Sequence, residues 1–143
     1  MRYYIGADHA GYEIKDFVKN IFLSYGDEVI DVGTFDDKRV DYPDFAKIVS
    51  KKILDDIGSQ GVLICGTGIG MSISANRFQG IRAALCHDSL SAILSKQHND
   101  ANILCLGSRV SGKAMIEQII KSWRDCSFEQ GRHTNRVKKI DKL

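Results

Sequence analysis

The sequence lacks several features that would mark other classes of protein. It has one proline and one tryptophan among 143 residues, and it contains no internal repeat or low-complexity segment. Its apolar runs are too short for a signal-peptide core or a membrane-spanning helix. Basic residues outnumber acidic ones by only 20 to 18, so charge does not favour nucleic acid or a membrane as partner. We therefore expect a single cytoplasmic domain spanning residues 1–143.

The cysteines do not form a recognisable metal or disulfide pattern. None of the four belongs to a C-x-x-C pair, and no histidine lies at a zinc-ligand spacing from them. Reduced thiols are therefore expected, as in the cytoplasm. Cys86 and Cys105 lie within apolar runs and are predicted to be small buried hydrophobic residues. Cys65 differs from them because it ends a predicted strand directly before a glycine-rich turn.

Short apolar runs alternate with segments of helical periodicity. The predicted strands are Tyr3–Ala7, Glu28–Val32, Gly61–Cys65, Ile81–Cys86 and Ile103–Leu106. Apolar residues three and four apart predict amphipathic helices between and after them, around residues 14–22, 48–57, 90–94 and 115–123. This alternation predicts an α/β fold, a single-domain Rossmann-like three-layer sandwich with a five-stranded parallel sheet and helices on both faces. Residues 125–143 form a basic tail, either a solvated helix or an arm that completes a site, here or in another subunit.

The segment after the third predicted strand is the most informative part of the sequence. Cys65-Gly-Thr-Gly-Ile-Gly70 reads as a strand end followed by a tight loop and a helix beginning near Gly70. Ligands of parallel sheets collect at this end of the strands. Glycines allow a ligand to approach the backbone closely, and the helix N-terminus favours an anion and the thiolate of Cys65. A turn that only packs the helix against the sheet is the alternative.

Three familiar glycine-loop sites fail on spacing. A nucleotide P-loop needs a Lys-Ser or Lys-Thr pair directly after the glycines, and neither pair follows them here. A dinucleotide fingerprint counted from Gly66 would need a glycine where Met71 stands. A cysteine phosphatase loop would need an arginine at that same position. The loop is therefore not predicted to bind a nucleotide or to form a phosphatase site.

Six segments of the chain form unusual motifs. They are Gly6–Gly11, Asp41–Ala46, Gly61–Asn76, Gly80–Ala84, His98–Arg109 and Gly131–Arg136. In this order, and over nearly the whole chain, they resemble the sugar-phosphate isomerase family that includes ribose-5-phosphate isomerase B and galactose-6-phosphate isomerase subunits. C-G-T-G-I-G-M-S together with H-N-D-A-N is highly specific. The resemblance implies an aldose–ketose isomerase of the pentose phosphate pathway that converts ribose 5-phosphate to ribulose 5-phosphate through a cis-enediolate, without metal or cofactor.

The resemblance also assigns roles to individual residues. Cys65 is the implied base that removes the proton beside the carbonyl, His98 is the acid that opens the sugar ring, and Thr67 binds reacting oxygens or relays a proton. Substrate binding is implied for Gly66, Gly68, Ile69 and Gly70 in the loop, for Asp8, Tyr42 and Asn99 at hydroxyl groups, and for His9, Arg109, Arg132 and Arg136 at the phosphate.

Several alternatives stay open. Asp8 and Tyr42 could instead cap a turn or a helix, and His87 and His133 are expected to be structural or peripheral. A six-carbon sugar phosphate, such as allose or galactose 6-phosphate, is an alternative substrate. A non-catalytic phosphosugar-binding module is a third reading, although such a module needs no pairing of a thiol with an acid. The resemblance implies a homodimer or homotetramer whose active sites are shared between subunits.

Overall fold

Strands and helices alternate along the whole chain. The computed structural model describes all 143 residues, Met1–Leu143. The strands are β1 (Arg2–Ala7), β2 (Glu28–Asp31), β3 (Gln60–Cys65), β4 (Ala83–Leu85) and β5 (Ile103–Gly107). The helices are α1 (Tyr12–Ser24), α2 (Tyr42–Asp55), α3 (Ile69–Ala75), α4 (Ser89–Asn99), α5 (Lys113–Asp125) and α6 (Arg132–Ile140). None of these helices has the length and apolarity that crossing a bilayer requires.

The five strands form one parallel sheet in the order β2-β1-β3-β5-β4. Each pair of neighbours is parallel, with Ala7 opposite Ile64 and Cys65 opposite Gly107. All carboxyl ends therefore lie along one side of the sheet, here called the carboxyl edge, and all amino ends lie along the opposite amino edge. The predicted fold class is confirmed.

Side chains that alternate along the strands build a hydrophobic core on each face of the sheet. Ile5 and Ile64 face a cluster formed with α1, α4 and α5. Leu63 and Cys65 face a second cluster formed with α2 and α3. Because the side chains of a strand alternate between faces, the thiol of Cys65 lies on the α2–α3 side, where α3 begins.

The fold creates a crevice where β1 and β3 end. These strands are neighbours, but the helix after β1 packs on one face of the sheet and the helix after β3 packs on the other. The chain therefore diverges to opposite faces at this point, which is where open α/β sheets place their ligands. The segments after β1 and β3 belong to the motifs Gly6–Gly11 and Gly61–Asn76 that were identified in the sequence.

Strand β4 departs from its predicted bounds by more than the other strands, whose bounds agree within one residue. Strand β4 is shorter than the predicted span of Ile81–Cys86, because its approach is a turn in which the N–H of Arg82 donates to Oδ1 of Asn102 at 2.8 Å. The basic tail contains a regular helix, α6, which buries His133 and Val137 and packs against α4. Its arginines remain exposed on the other side of the helix.

Lys96, on α4, is buried without an acidic partner. Its side chain is 5% exposed, and no carboxylate lies within ion-pair distance of its Nζ. The ammonium donates to the carbonyl of Ala101 at 3.2 Å and lies 4.7 Å from the ring centroid of Trp123. Burial disfavours the charged form and lowers the pKa of Lys96 to about 8.

This burial predicts a pH dependence of stability. Between pH 8 and 10.5 the unfolded chain holds a proton on Lys96 that the folded chain has lost, so the free energy of unfolding rises with pH across that interval. The rise from this residue should be on the order of 2–3 kcal/mol. Urea unfolding at several pH values should show that Lys96→Met removes it, whereas Lys121→Met, at an exposed lysine, retains it. If the free energy of unfolding of the wild type, Lys96→Met and Lys121→Met depends on pH in the same way, the prediction is contradicted.

Candidate active site

Cys65 lies in a cavity of about 440 Å³ at the carboxyl edge. Its side chain is 4% exposed, and its Sγ accepts a hydrogen bond from the backbone N–H of Gly68 at 3.1 Å. Gly68 reaches this position with φ +76°, and a Cβ there would lie 2.6 Å from Cδ1 of Leu85. Only glycine therefore fits, and the turn directs a backbone N–H at the sulfur. Such a donor stabilises a thiolate relative to a thiol.

Thr67 and the start of α3 add further polar groups beside the sulfur. The N–H of Ile69 donates to Oγ1 of Thr67 at 3.2 Å, which leaves the hydroxyl proton of Thr67 available to a ligand oxygen. The first N–H groups of a helix have no intrahelical acceptor. The N–H of Gly70 is one of these, and Gly70 lines the cavity. The segment can therefore stabilise negative charge on a ligand.

The loop after β1 brings Asp8 and His9 to the same cavity. Oδ1 of Asp8 accepts hydrogen bonds from the N–H groups of Ala10 and Gly11, at 2.9 and 3.0 Å. Asp8 therefore caps the turn into α1 while it also lines the cavity. The N–H of Val40 lies 3.2 Å from Nδ1 of His9. When it donates to that nitrogen, Nε2 carries the ring proton and can donate it to an anion.

Tyr42 forms another wall of the cavity from the first turn of α2. Its ring packs directly on Gly70, where a Cβ would lie 2.6 Å from Cζ. A side chain at Gly70 would therefore displace the tyrosine. Pro43 follows at the start of the helix, where a missing N–H costs nothing.

The loop after β5 closes the site with Arg109. Its backbone N–H donates to the carbonyl of Gly66 at 2.9 Å, and its side chain lines the cavity. Ser108 joins the neighbouring loops, because its N–H donates to the carbonyl of Cys65 at 2.9 Å and its hydroxyl donates to that of Ala10 at 2.7 Å. The loops after β1, β3 and β5 are therefore linked by hydrogen bonds around the thiol.

The structure brings most of the predicted site residues together. The cavity is lined by Asp8, His9, Tyr42, Cys65, Gly66, Thr67, Ile69, Gly70 and Arg109. Gly68 contributes the N–H bonded to the sulfur. Ala10 and Ile73, which were not predicted, complete the lining. We call this group the carboxyl-edge cavity.

The remaining predicted residues lie at the amino edge of the sheet, at the opposite ends of the strands from the cavity. They are His98, Asn99, Arg132 and Arg136, and we call them the amino-edge cluster. Helix α4 runs back from the carboxyl edge, so His98 and Asn99 at its end lie just before the start of β5 at Ile103. Cys65 is level with Gly107, the last residue of β5. The strand between the two edges is about 13 Å long, so His98 and Cys65 of one chain cannot contact the same atoms of a sugar.

His98 is part of a compact group with His133 and Glu129. The two imidazole rings stack with centroids 4.2 Å apart and planes 11° from parallel. Oε2 of Glu129 lies 3.9 Å from Nε2 of each histidine. Burial, followed by the charges of His98, Arg132 and Arg136, lowers the pKa of His133. The neutral form of His133 is therefore favoured beside these cations.

These three side chains are also the candidate metal ligands of the chain, because their donor atoms all lie within 4.8 Å of one another. Two histidines and a carboxylate are a ligand set that zinc uses. However, nearly parallel stacked rings direct their nitrogen lone pairs side by side rather than toward one point. One ring would have to rotate before both could bind the same ion.

Sequence reasoning missed the residues that hold the site residues in place. Val40 and Ser108 act through backbone and hydroxyl groups, and the pattern around them carried no signal of that contact. His133 was expected to be structural or peripheral, and the structure places it against His98. Glu129 lies before the start of α6, so helical spacing could not relate it to His133 from the sequence.

Comparison with known proteins places this geometry in a family. The chain matches the Ribose/Galactose Isomerase model over residues 3–140. It is 44% identical over 135 residues to ribose-5-phosphate isomerase B of Escherichia coli, with 94% of this chain and 91% of that protein covered. The structure of a ribose 5-phosphate isomerase from Thermotoga maritima matches with a TM-score of 0.96 and 46% identity, covering 99% of this chain and 98% of that one.

A further relative was solved with a ligand. Ribose-5-phosphate isomerase B from Mycoplasma genitalium, with ribulose 5-phosphate bound, matches with a TM-score of 0.94 and 36% identity, covering 99% of this chain and 94% of that one. The resemblance predicted from the motifs is confirmed over almost the full length. The chain belongs to the ribose/galactose isomerase family.

Proposed function

We propose that this protein interconverts ribose 5-phosphate and ribulose 5-phosphate, in the non-oxidative branch of the pentose phosphate pathway. The observation that carries the proposal is the hydrogen bond from the N–H of Gly68 to Sγ of Cys65 at 3.1 Å, inside a cavity that also contains His9 and Arg109. It places a sulfur that accepts a backbone hydrogen bond beside side chains suited to a phosphate. The names of the relatives supply the sugar.

The chemistry is a proton transfer between adjacent carbons. The Cys65 thiolate removes the proton from C2 of the open-chain aldose, and the carbonyl electrons move onto O1 to give a cis-enediolate. The N–H groups of Gly66 and Gly70 stabilise that oxygen, each good donor contributing about 3 kcal/mol in the transition state. The proton returns at C1, while Thr67 relays one between the two oxygens. No electron acceptor is consumed, because C1 is reduced as C2 is oxidised.

Ring opening needs an acid that the same chain cannot deliver. Aldose phosphates exist largely as rings, and His98 is the proposed proton donor to the ring oxygen. Its location at the amino edge requires that a second subunit place it beside Cys65 of the first. We propose a homodimer in which the amino-edge cluster of one subunit completes the carboxyl-edge cavity of the other, with Arg132 and Arg136 at the phosphate.

An exposed apolar surface supports this assembly. Helices α3 and α4 expose branched aliphatic side chains that are 36–63% accessible, namely Ile69, Ile73, Leu90 and Leu94. Residues four apart lie on one helix face, and exposed apolar faces of this kind mark interfaces. If α4 packs antiparallel to its copy across a two-fold axis, the end of the partner's α4 approaches the carboxyl edge. The partner is a second copy of this chain, and a dimer of two such dimers would preserve the contact.

The compartment proposed is the cytoplasm. All four cysteines are free, and Cys65, Cys86 and Cys105 are buried. An enzyme that depends on a thiolate must keep it reduced, which a cytoplasmic environment does. Burial raises the pKa of Cys86 and of Cys105, so these two thiols are poor nucleophiles.

Turnover of purified protein tests the function directly. With ribose 5-phosphate, ketose absorbance should increase, and kcat/KM should exceed that for allose 6-phosphate or galactose 6-phosphate by at least about tenfold. A chelator should not change the rate. Higher kcat/KM with a six-carbon sugar would select the alternative substrate. Binding of sugar phosphates without any turnover would identify a binding module instead.

A further inference from the structure

Arg82 makes contacts that no step of the reaction explains. It lies immediately before β4, at the amino edge, in the Gly80–Ala84 motif, and its side chain is only 14% exposed. Its Nε donates to the carbonyls of Asn99 and Asp100, at 3.1 and 3.0 Å. Those carbonyls end α4, where a cation is favoured by the helix dipole. The guanidinium therefore caps the helix that carries His98.

The other end of the guanidinium reaches two carboxylates. Nη2 lies 3.1 Å from Oδ2 of Asp100, and Nη1 lies 2.8 Å from Oδ1 of Asp141. Asp100 has φ +47°, a left-handed conformation that costs energy for a residue other than glycine. Asp141 is the C-cap of α6. One planar cation thus fixes the turn after α4 and joins it to the end of α6.

The same two helices are joined at the start of α6. His133 stacks on His98, and the N–H of Glu129 donates to the carbonyl of Gln97 at 3.0 Å. The contacts of Arg82 lie at the C-terminal ends of α4 and α6, and the histidine contact lies at the opposite end of α6. Together, these two sets of contacts fix the orientation of α6. They therefore also fix the positions of Arg132 and Arg136 relative to His98.

We propose that Arg82 is a positioning residue for the amino-edge cluster, which it holds as one rigid unit for delivery to the partner's carboxyl-edge cavity. This inference rests on the proposed two-subunit site. It predicts that Arg82 affects catalysis only through the chain that supplies His98. Arg82 acts on the geometry of the cluster and not on the substrate, because its side-chain nitrogen atoms are hydrogen-bonded to Asn99, Asp100 and Asp141.

The first test is the kinetics of Arg82→Met with ribose 5-phosphate. We expect kcat to fall and KM to rise, with kcat/KM lowered about 10- to 100-fold by misplacement of His98 and the arginines. Asp141→Asn, which loses one contact, should show a smaller loss of the same kind. Arg2→Met is the matched control, since Arg2 also makes two ion pairs, at 2.9 and 2.8 Å, but with Glu28 and Asp56. Its activity should equal that of the wild type.

The second test separates positioning from general destabilisation. Two variants are co-expressed with different tags, and mixed oligomers are isolated. Arg82→Met paired with Cys65→Ala should regain activity, because one site then combines an intact cavity with an intact cluster. Arg82→Met paired with His98→Asn should not, because both defects lie in the cluster. Asp141→Asn replaces Arg82→Met in both pairings if the latter does not fold.

Three outcomes would overturn the inference. The first is a wild-type kcat/KM in folded Arg82→Met. The second is recovery of activity when Arg82→Met is paired with His98→Asn. The third is a lack of recovery when Arg82→Met is paired with Cys65→Ala, although the pairing of Cys65→Ala with His98→Asn does recover activity. If the pairing of Cys65→Ala with His98→Asn also fails to recover activity, the proposal of a site shared between subunits is wrong. Absence of turnover in the wild-type protein would instead reject the proposed isomerase function.

Discussion

Cys65→Ala should lower kcat for ribose 5-phosphate isomerisation by about 10²–10⁴-fold, the contribution expected of a well-placed general base. The neighbouring polar side chains Asp8 and His9 are held by other contacts. Oδ1 of Asp8 already accepts two backbone hydrogen bonds, and His9 is held through Nδ1 by Val40. The proton at C2 would have no acceptor close enough to take it.

Binding should survive the same substitution. Arg109 and His9 do not depend on the sulfur, and the loop retains its glycines, so calorimetry should show a Kd for ribose 5-phosphate within about threefold of that of another inactive variant, His98→Asn. Cys126→Ser is the matched thiol control, since Cys126 is half-buried and lies outside the cavity, and it should retain full kcat. Isomerisation by Cys65→Ala at a wild-type rate would exclude the sulfur as the base.

The sequence predicted the carboxyl-edge cavity well because its residues follow strands directly. A parallel sheet aligns its strand ends, so motifs far apart along the chain, such as those at Asp8 and Cys65, become neighbours once β1 and β3 pair. Glycines in the loop indicated a close backbone approach. Which N–H would reach the sulfur was not predictable, because that depends on the left-handed conformation of Gly68.

The amino-edge cluster was only partly predictable for a related physical reason. The basic tail was predicted as either a solvated helix or an arm, and Arg132 and Arg136 lie on the helix α6. The proposed role of His98 stays a prediction that rests on the motif. Spacing carries no information on which edge of the sheet a helix end reaches. That depends on the antiparallel return of α4 toward the amino edge. The contacts of Arg82 were not predictable for a similar reason, because its partners lie 17, 18 and 59 residues away along the chain.

A mixed oligomer of Cys65→Ala and His98→Asn should recover the activity that each variant lacks alone. If the sites are shared, a heterodimer contains one site in which both residues are altered and one in which both are intact. Such a heterodimer should have up to about half of the wild-type kcat per dimer, because the symmetric interface creates two equivalent sites. Each homodimer carries a defect in both sites and should remain strongly impaired, so the expected gain is large.

The control for this experiment is a pair of variants with defects in the same half. Cys65→Ala mixed with Thr67→Ala alters two residues of the carboxyl-edge cavity, so no combination of subunits yields an intact site. Recovery should therefore be absent, although the two chains assemble equally well. Equal recovery in both mixtures would point to an artefact of assembly. No recovery in either would mean that Cys65 and His98 do not meet across subunits. The distance of about 13 Å along the strand between their two edges would then have to be closed by a rearrangement within one chain, for which α4, capped by Arg82 and packed against α5 and α6, offers no hinge.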